Sequence, residues 1–138
     1  MKGLITIRID VLGVSFDNLT MDEAVQKALG LMESRNAAYV VTPNPEIVML
    51  CRDSSSLSDA VKNADMVLPD GIGIIKGAKI LGTPLKQKLP GIDFAQELFG
   101  QMAKREMTVF LLGAKPGVAE EAAKNLLDRF KGLRIIGT

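Results

Sequence analysis

The stretch Ala64-Asp65-Met66-Val67-Leu68-Pro69-Asp70-Gly71-Ile72-Gly73 runs from apolar residues through a proline to a carboxylate between glycines. Met66 to Leu68 has the length and make-up of a strand buried on both faces. Gly71 to about Leu81 has helical spacing, so Asp70 sits at a strand-to-helix handover. A second handover lies upstream, where Ala38 to Val41 leads into Thr42-Pro43-Asn44-Pro45-Glu46. In an open α/β sheet, such handovers at the carboxyl ends of strands line the crevice that receives ligands.

Working outward, Ile5 to Leu12 alternates like a strand, with Val14 to Phe16 as a hairpin partner. Thr20-Met21-Asp22-Glu23 has the form of a capping box. The helix it opens is expected to reach about Ser34, with Ala24, Ala28, Leu31 and Met32 as its apolar stripe. Asn44 before Pro45 predicts an N-cap with proline at the first helical position, and a helix through Leu50. Ser54 to Ser56 caps a short helix over Leu57 to Asn63, and Gly82-Thr83-Pro84 ends the helix that follows Asp70. Pro90-Gly91-Ile92-Asp93 opens a helix to about Lys104. Thr108 to Leu112 predicts a strand, Gly113 to Gly117 a loop, Val118 to Phe130 an amphipathic helix and Arg134 to Ile136 a last strand. Strand and helix alternate throughout, which predicts an α/β, Rossmann-like, mostly parallel sheet with helices on both faces and an N-terminal strand or hairpin. Residues 1–138 are expected to form a single domain.

Composition narrows the chemistry. The formal net charge is +1, which gives no electrostatic case for nucleic acid. The chain has no histidine, which excludes Ser-His-Asp and Cys-His catalysis and any histidine metal site within it. Proton transfer therefore falls to Asp, Glu, Lys, Tyr39 or water. The single cysteine, Cys51, excludes an internal disulfide and reads as a core thiol; the methionines, Met21, Met32, Met49, Met66, Met102 and Met107 among them, read as packing. Met1 to Asp10 lacks the apolar core of a signal peptide, and no run approaches the ~20 apolar residues of a membrane span. A cytoplasmic protein is expected.

Asp70 has two readings that can coexist. It is a helix N-terminal cap, or it is a carboxylate with one oxygen held by an amide and the other free to take a proton from an attacking hydroxyl. Thr42 and Asn44 sit in a turn stiffened by prolines on both sides of Asn44, suited to hydrogen-bonding a sugar, although an asparagine in this place is more often just an N-cap. The loop Gly113-Ala114-Lys115-Pro116-Gly117 precedes a helix and could bring amides to a phosphate, or be a tight turn. Lys86 and Lys88 are either solvated or aimed at the charge of a departing diphosphate. Asp93 either caps its helix or contacts a ligand.

Taken together, Thr42 to Val48, Ala64 to Gly73, Pro90 to Asp93, and Phe110 to Gly113 with Pro116 to Ala119 resemble the TagA/WecG/CpsF family of bacterial glycosyltransferases. The resemblance covers nearly the whole chain and is nearest in pattern to the TagA branch, which acts in wall teichoic acid synthesis. It implies transfer of N-acetylmannosamine from UDP-N-acetylmannosamine to the 4-hydroxyl of N-acetylglucosamine on undecaprenyl diphosphate. The anomeric centre inverts, in a single displacement with one base on the acceptor side. Asp70 matches the family's base, and Thr42 and Asn44 match its sugar-pocket loop. Gly71, Lys88, Asp93 and Gly113 fall in the motifs expected to bind substrate. No Asp-x-Asp metal motif is present, and no cofactor is implied.

Lys88 stands where the family pattern has arginine, keeping the charge but losing the bidentate fork. The family also continues into a glycine-aromatic loop, a nucleotide-contacting Gln-Glu segment and a basic C-terminal appendage. The chain is therefore expected to be C-terminally truncated, with membrane attachment at the inner face through the missing segment. Apolar surface left uncovered would favour a homo-oligomer.

Two readings compete. A Rossmann-like nucleotide-binding domain without transferase activity calls for a glycine fingerprint after the first strand, yet that strand ends Leu12-Gly13-Val14-Ser15. In a non-enzymatic domain of flavodoxin-like type, Asp70 would be a cap alone.

Overall fold

The computed structural model describes residues 6–34 and 36–138, and shows a mixed α/β arrangement. The chain divides into two compact units, one ending at Phe94 and one running from Ala95 to Thr138.

In the first unit, β1 (Arg8–Val11) and β2 (Val14–Asp17) form an antiparallel hairpin; the predicted start at Ile5 lies outside the described residues. Its two-residue turn, Leu12-Gly13, has φ of +54° and +91°, the backbone that matches the twist of the flanking strands. Val11, Val14 and Phe16 point into the core. α1 (Met21–Glu33) starts with the predicted capping box: the Glu23 amide donates to Thr20 Oγ1 at 3.2 Å and the Thr20 amide to Glu23 Oε2 at 2.7 Å. The buried stripe of α1 is Ala24, Val25, Ala28 and Leu29. Leu31 and Met32 lie outside it, and Met32 is exposed, because pairs at 24/28 and 25/29 already define the face toward the core.

β3 (Val40–Val41) and β4 (Met66–Val67) pair in parallel, with α2 (Pro45–Asp53) and α3 (Ser55–Lys62) as the crossover. Both strands are shorter than predicted, but their pairing continues past the formal ends: the Asp65 amide donates to Tyr39 O at 3.0 Å and the Leu68 amide to Val41 O at 2.9 Å. Asn44 and Ser54 cap α2 and α3, accepting from the Ile47 and Leu57 amides at 2.9 and 3.3 Å. Val48, Cys51 and Val61 carry these helices into the core, while Met49 on the outer side of α2 is exposed and so is not a packing residue. α4 (Ile72–Ile80) turns Ile74 and Ala78 inward. α5 (Gly91–Lys104) begins in this unit.

Among the described residues one charge lies fully buried. The Asp17 carboxylate meets Lys27 Nζ at 3.0 Å and an Arg8 guanidinium nitrogen at 3.4 Å, and takes the Val67 amide proton at 2.7 Å. Pairing and hydrogen bonding together make such burial tolerable, and here they fasten β2 to β4.

In the second unit, β5 (Thr108–Phe110) and β6 (Arg134–Gly137) pair in parallel across α6 (Val118–Arg129). Leu98, Met102, Ala103 and Leu133 are its buried residues, and the Phe99 and Phe130 rings pack with centroids 6.3 Å apart. α6 buries none of its residues, although its spacing is amphipathic. Among the described residues no helix is long and apolar enough to cross a membrane.

Candidate active site

Because β3 and β4 are parallel, their carboxyl ends fall at one edge and bring the two decisive turns together. The Asp70 amide donates to Pro43 O at 3.4 Å, linking the turns directly. Pro43 and Pro69 are both fully buried beneath them. Proline suits that place because it brings no N–H that would need a partner. A third segment joins where the Leu89 amide donates to Pro69 O at 2.8 Å, laying 88–91 alongside the second turn.

Asp70 does not cap the helix that follows it. The N-cap of α4 is Gly71, with φ of +95° and no side-chain capping bond. The Asp70 carboxylate turns instead to α5, where Oδ2 accepts the Gly91 amide proton at 3.1 Å. Oδ1 takes no hydrogen bond among the described residues, and the side chain is half-buried. A carboxylate held by one oxygen and open at the other has a fixed aim and a free lone pair, the geometry a proton acceptor needs.

Thr42 stands against the same point. A Cβ built on Gly91 would lie 2.9 Å from Thr42 Oγ1 and 3.2 Å from its Cγ2, so only glycine lets α5 begin this close. A Cβ on Gly73 would likewise lie 2.7 Å from Pro45 Cγ, and one on Gly71 3.2 Å from Pro45 Cδ. Thr42, Asp70, Gly71 and Gly91 thus form one contiguous group, with Asn44 at its margin. Asn44 serves as the α2 cap, and its Oδ1 is committed to that role.

The two lysines part company. Lys86 Nζ binds both oxygens of Glu23, at 2.9 and 3.1 Å, and its amide donates to Asn18 Oδ1 at 2.8 Å. Lys86 is exposed, as expected of a solvated loop, but it is tied to the start of α1 rather than free for a diphosphate. This pairing, followed by the Thr20 backbone, holds the Glu23 carboxyl below the usual glutamate range. Lys88 is exposed and makes no ion pair among the described residues. Asp93 is exposed in the first turn of α5, two residues from the amide that Asp70 accepts. Gly113, with φ of +114°, lies in the second unit, in an exposed loop that leads to the uncapped N-terminus of α6.

Sequence reasoning missed the Gly91 amide and the buried Asp17. The first had a visible signal: glycine directly after Pro90 at a helix start, with no side chain of its own to cap it. The second had none, because nothing local marks Asp17 off from an exposed acid. A separate open groove of about 430 Å3 is lined by Arg8, Ser15, Ser58 and Lys62 among others, and holds none of the predicted site residues. Among the described residues no cluster of three metal-ligating side chains occurs.

The family described as glycosyl transferase WecG/TagA/CpsF matches residues 9–138. Curated relatives named N-acetylglucosaminyldiphosphoundecaprenol N-acetyl-beta-D-mannosaminyltransferase, from Staphylococcus aureus strains NCTC 8325 / PS 47 and COL, are each 34% identical over 130 residues. That alignment covers 93% of this chain and 51% of each relative, so the chain spans about half their length. On the match across both units and on this identity, the chain belongs to the WecG/TagA/CpsF family of glycosyl transferases.

Proposed function

We propose that residues 1–138 are the single-domain core of an inverting glycosyltransferase. It moves N-acetylmannosamine from UDP-N-acetylmannosamine to the 4-hydroxyl of N-acetylglucosamine-diphosphate-undecaprenol, in wall teichoic acid linkage-unit synthesis. Family membership and the relatives' names support the sugar and the lipid acceptor. The observation that carries the catalytic part is Asp70, one oxygen anchored by the Gly91 amide, the other unpartnered, with Thr42 against the same glycine.

In this reading the acceptor hydroxyl attacks the anomeric carbon from the face opposite UDP. Its proton passes to Asp70 Oδ1, the bond from the anomeric carbon to the UDP oxygen breaks, and UDP leaves with that electron pair. A positioned base of this kind contributes about 10²–10⁴-fold. Thr42 and Asn44 orient the sugars, Gly71 keeps the backbone close beneath them, and Asp93 contacts substrate. Lys88 offsets charge on the diphosphate as a point charge rather than a fork. The Rossmann-like sheet belongs to the same proposal, supported by two parallel strand pairs, each closed by a helical crossover. So does a place at the inner face of the cell membrane, where a lipid-linked acceptor is met.

The test is UDP release from UDP-N-acetylmannosamine with a lipid-diphosphate N-acetylglucosamine analogue. The 138-residue chain is run beside one extended to the relatives' length. Release by the extended chain is expected. Silence from both, with folded protein and a verified acceptor, refutes the transferase.

A further inference from the structure

Between Asp70 and Asp93 the chain carries no acidic residue and four lysines, Lys76, Lys79, Lys86 and Lys88. On α4, Ile74 and Ala78 face the core, which leaves Ile72, Lys76, Lys79 and Ile80 as one stripe on the opposite side. That stripe is bare: Ile72 is 58% exposed and Ile80 84%, and Leu81 just beyond the helix is half exposed. Ile92, at the start of α5, is also exposed, so two isoleucines flank the turn that holds Asp70. Lys76, Lys79 and Lys88 make no ion pair among the described residues; Lys86 alone is spent, on Glu23.

A helix normally buries its isoleucines and solvates its lysines on separate faces. Here both share the outer face, with acids absent. Apolar side chains that insert and lysine stems that reach up to phosphate are the composition of a surface that lies on an anionic bilayer.

We propose that the α4 stripe, with Leu81 and Ile92, is the membrane-seating surface of this chain, and that its lipid partner is anionic. Its orientation rests on the lipid-linked acceptor proposed above. With α4 lying in the headgroup layer, Asp70 at its N-terminal end faces the level at which a lipid diphosphate carries its sugar. The seating is built into the core unit, in addition to whatever the rest of a full-length relative contributes.

The test is co-sedimentation of the 138-residue chain with phosphatidylglycerol-rich vesicles and with phosphatidylcholine vesicles, neither containing any sugar substrate. The chain is expected to bind the first and not the second, and to be released by high salt. Lys76→Gln with Lys79→Gln lowers binding about fivefold per lysine, about 25-fold together. Ile80→Ser also weakens it, while the circular dichroism spectrum and melting of both variants stay unchanged, since no core residue is touched. Equal binding by wild type and variants, or none by wild type, overturns the proposal. So does a wild-type dimer in sedimentation equilibrium that ignores vesicles and dissociates on Ile80→Ser, because the stripe is then a contact between copies. Vesicle binding without UDP release by the extended chain refutes the transferase alone.

Discussion

Oδ2 of Asp70 accepts the amide proton of Gly91 at 3.1 Å, which joins the turn after β4 to the first residue of α5. The bond uses a helix N-terminal donor that would otherwise need water, and it leaves the second carboxylate oxygen clear.

Asp70→Asn separates chemistry from anchoring. The amide oxygen of asparagine can still accept from Gly91, so the fold persists, but no proton can be taken from the acceptor. In the extended chain, kcat is expected to fall by about 10²–10⁴ with the melting temperature unchanged. Transfer at the normal rate would show that Asp70 is not the base. Unfolding would show that its role is structural.

Gly91→Ala places a methyl 2.9 Å from Thr42 Oγ1. Overpacking of this kind costs about 1–3 kcal/mol, read from the urea midpoint. Adding Thr42→Ala removes the obstructing Oγ1 and Cγ2, so the double variant is expected to be more stable than the sum of the single effects. Additive losses would mean that Thr42 and Gly91 are not in contact in solution.

Asp17→Ala removes the shared partner of Arg8, Lys27 and the Val67 amide. Breaking a buried pair costs about 3–5 kcal/mol when the remaining charge stays buried. Arg8 and Lys27 keep 34% and 25% side-chain exposure and can rehydrate, so the loss should fall near the lower end of that range. A loss under about 1 kcal/mol in urea unfolding would place the pair among ordinary surface bridges.

Glu23 gives a pH signature. Its carboxyl lies below its usual value in the folded chain, held there first by Lys86 and then by the Thr20 backbone. A lowered folded value means the contribution is fully present above the unfolded value and is lost as pH falls through the folded one. Stability should therefore drop more steeply with acid, below the ordinary glutamate range, in wild type than in Lys86→Met. Parallel acid-unfolding curves for the two would refute the pairing.

Much of the local structure was legible because its signals are local. The Thr20–Glu23 capping box, the Asn44-Pro45 start and the Ser54 cap each depend on residues within one turn, and each stands where expected. β3 was read too long at Ala38, where apolar character continues but pairing ends, whereas Leu68 lies past the formal end of β4 and still pairs with Val41. Asp70 was located, yet its partner was not, since Gly91 is distant in sequence and donates through its backbone. Lys86 and Glu23 are separated further still. Pairing between remote charges follows from tertiary approach, which no window of sequence contains.

The buried Asp17 has a consequence beyond stability. β4 is two residues long, and a strand that short has little pairing of its own to prevent slippage. A slip of one residue would turn Met66 and Val67 to the opposite faces and shift the start of the turn that carries Asp70. The Asp17 carboxylate lies outside that ladder, and it meets the Val67 amide at 2.7 Å. The hairpin therefore works as a ruler that indexes β4: a register shift of β2 would carry Asp17 off the Val67 amide and leave the strand that leads to the proposed base without its external reference.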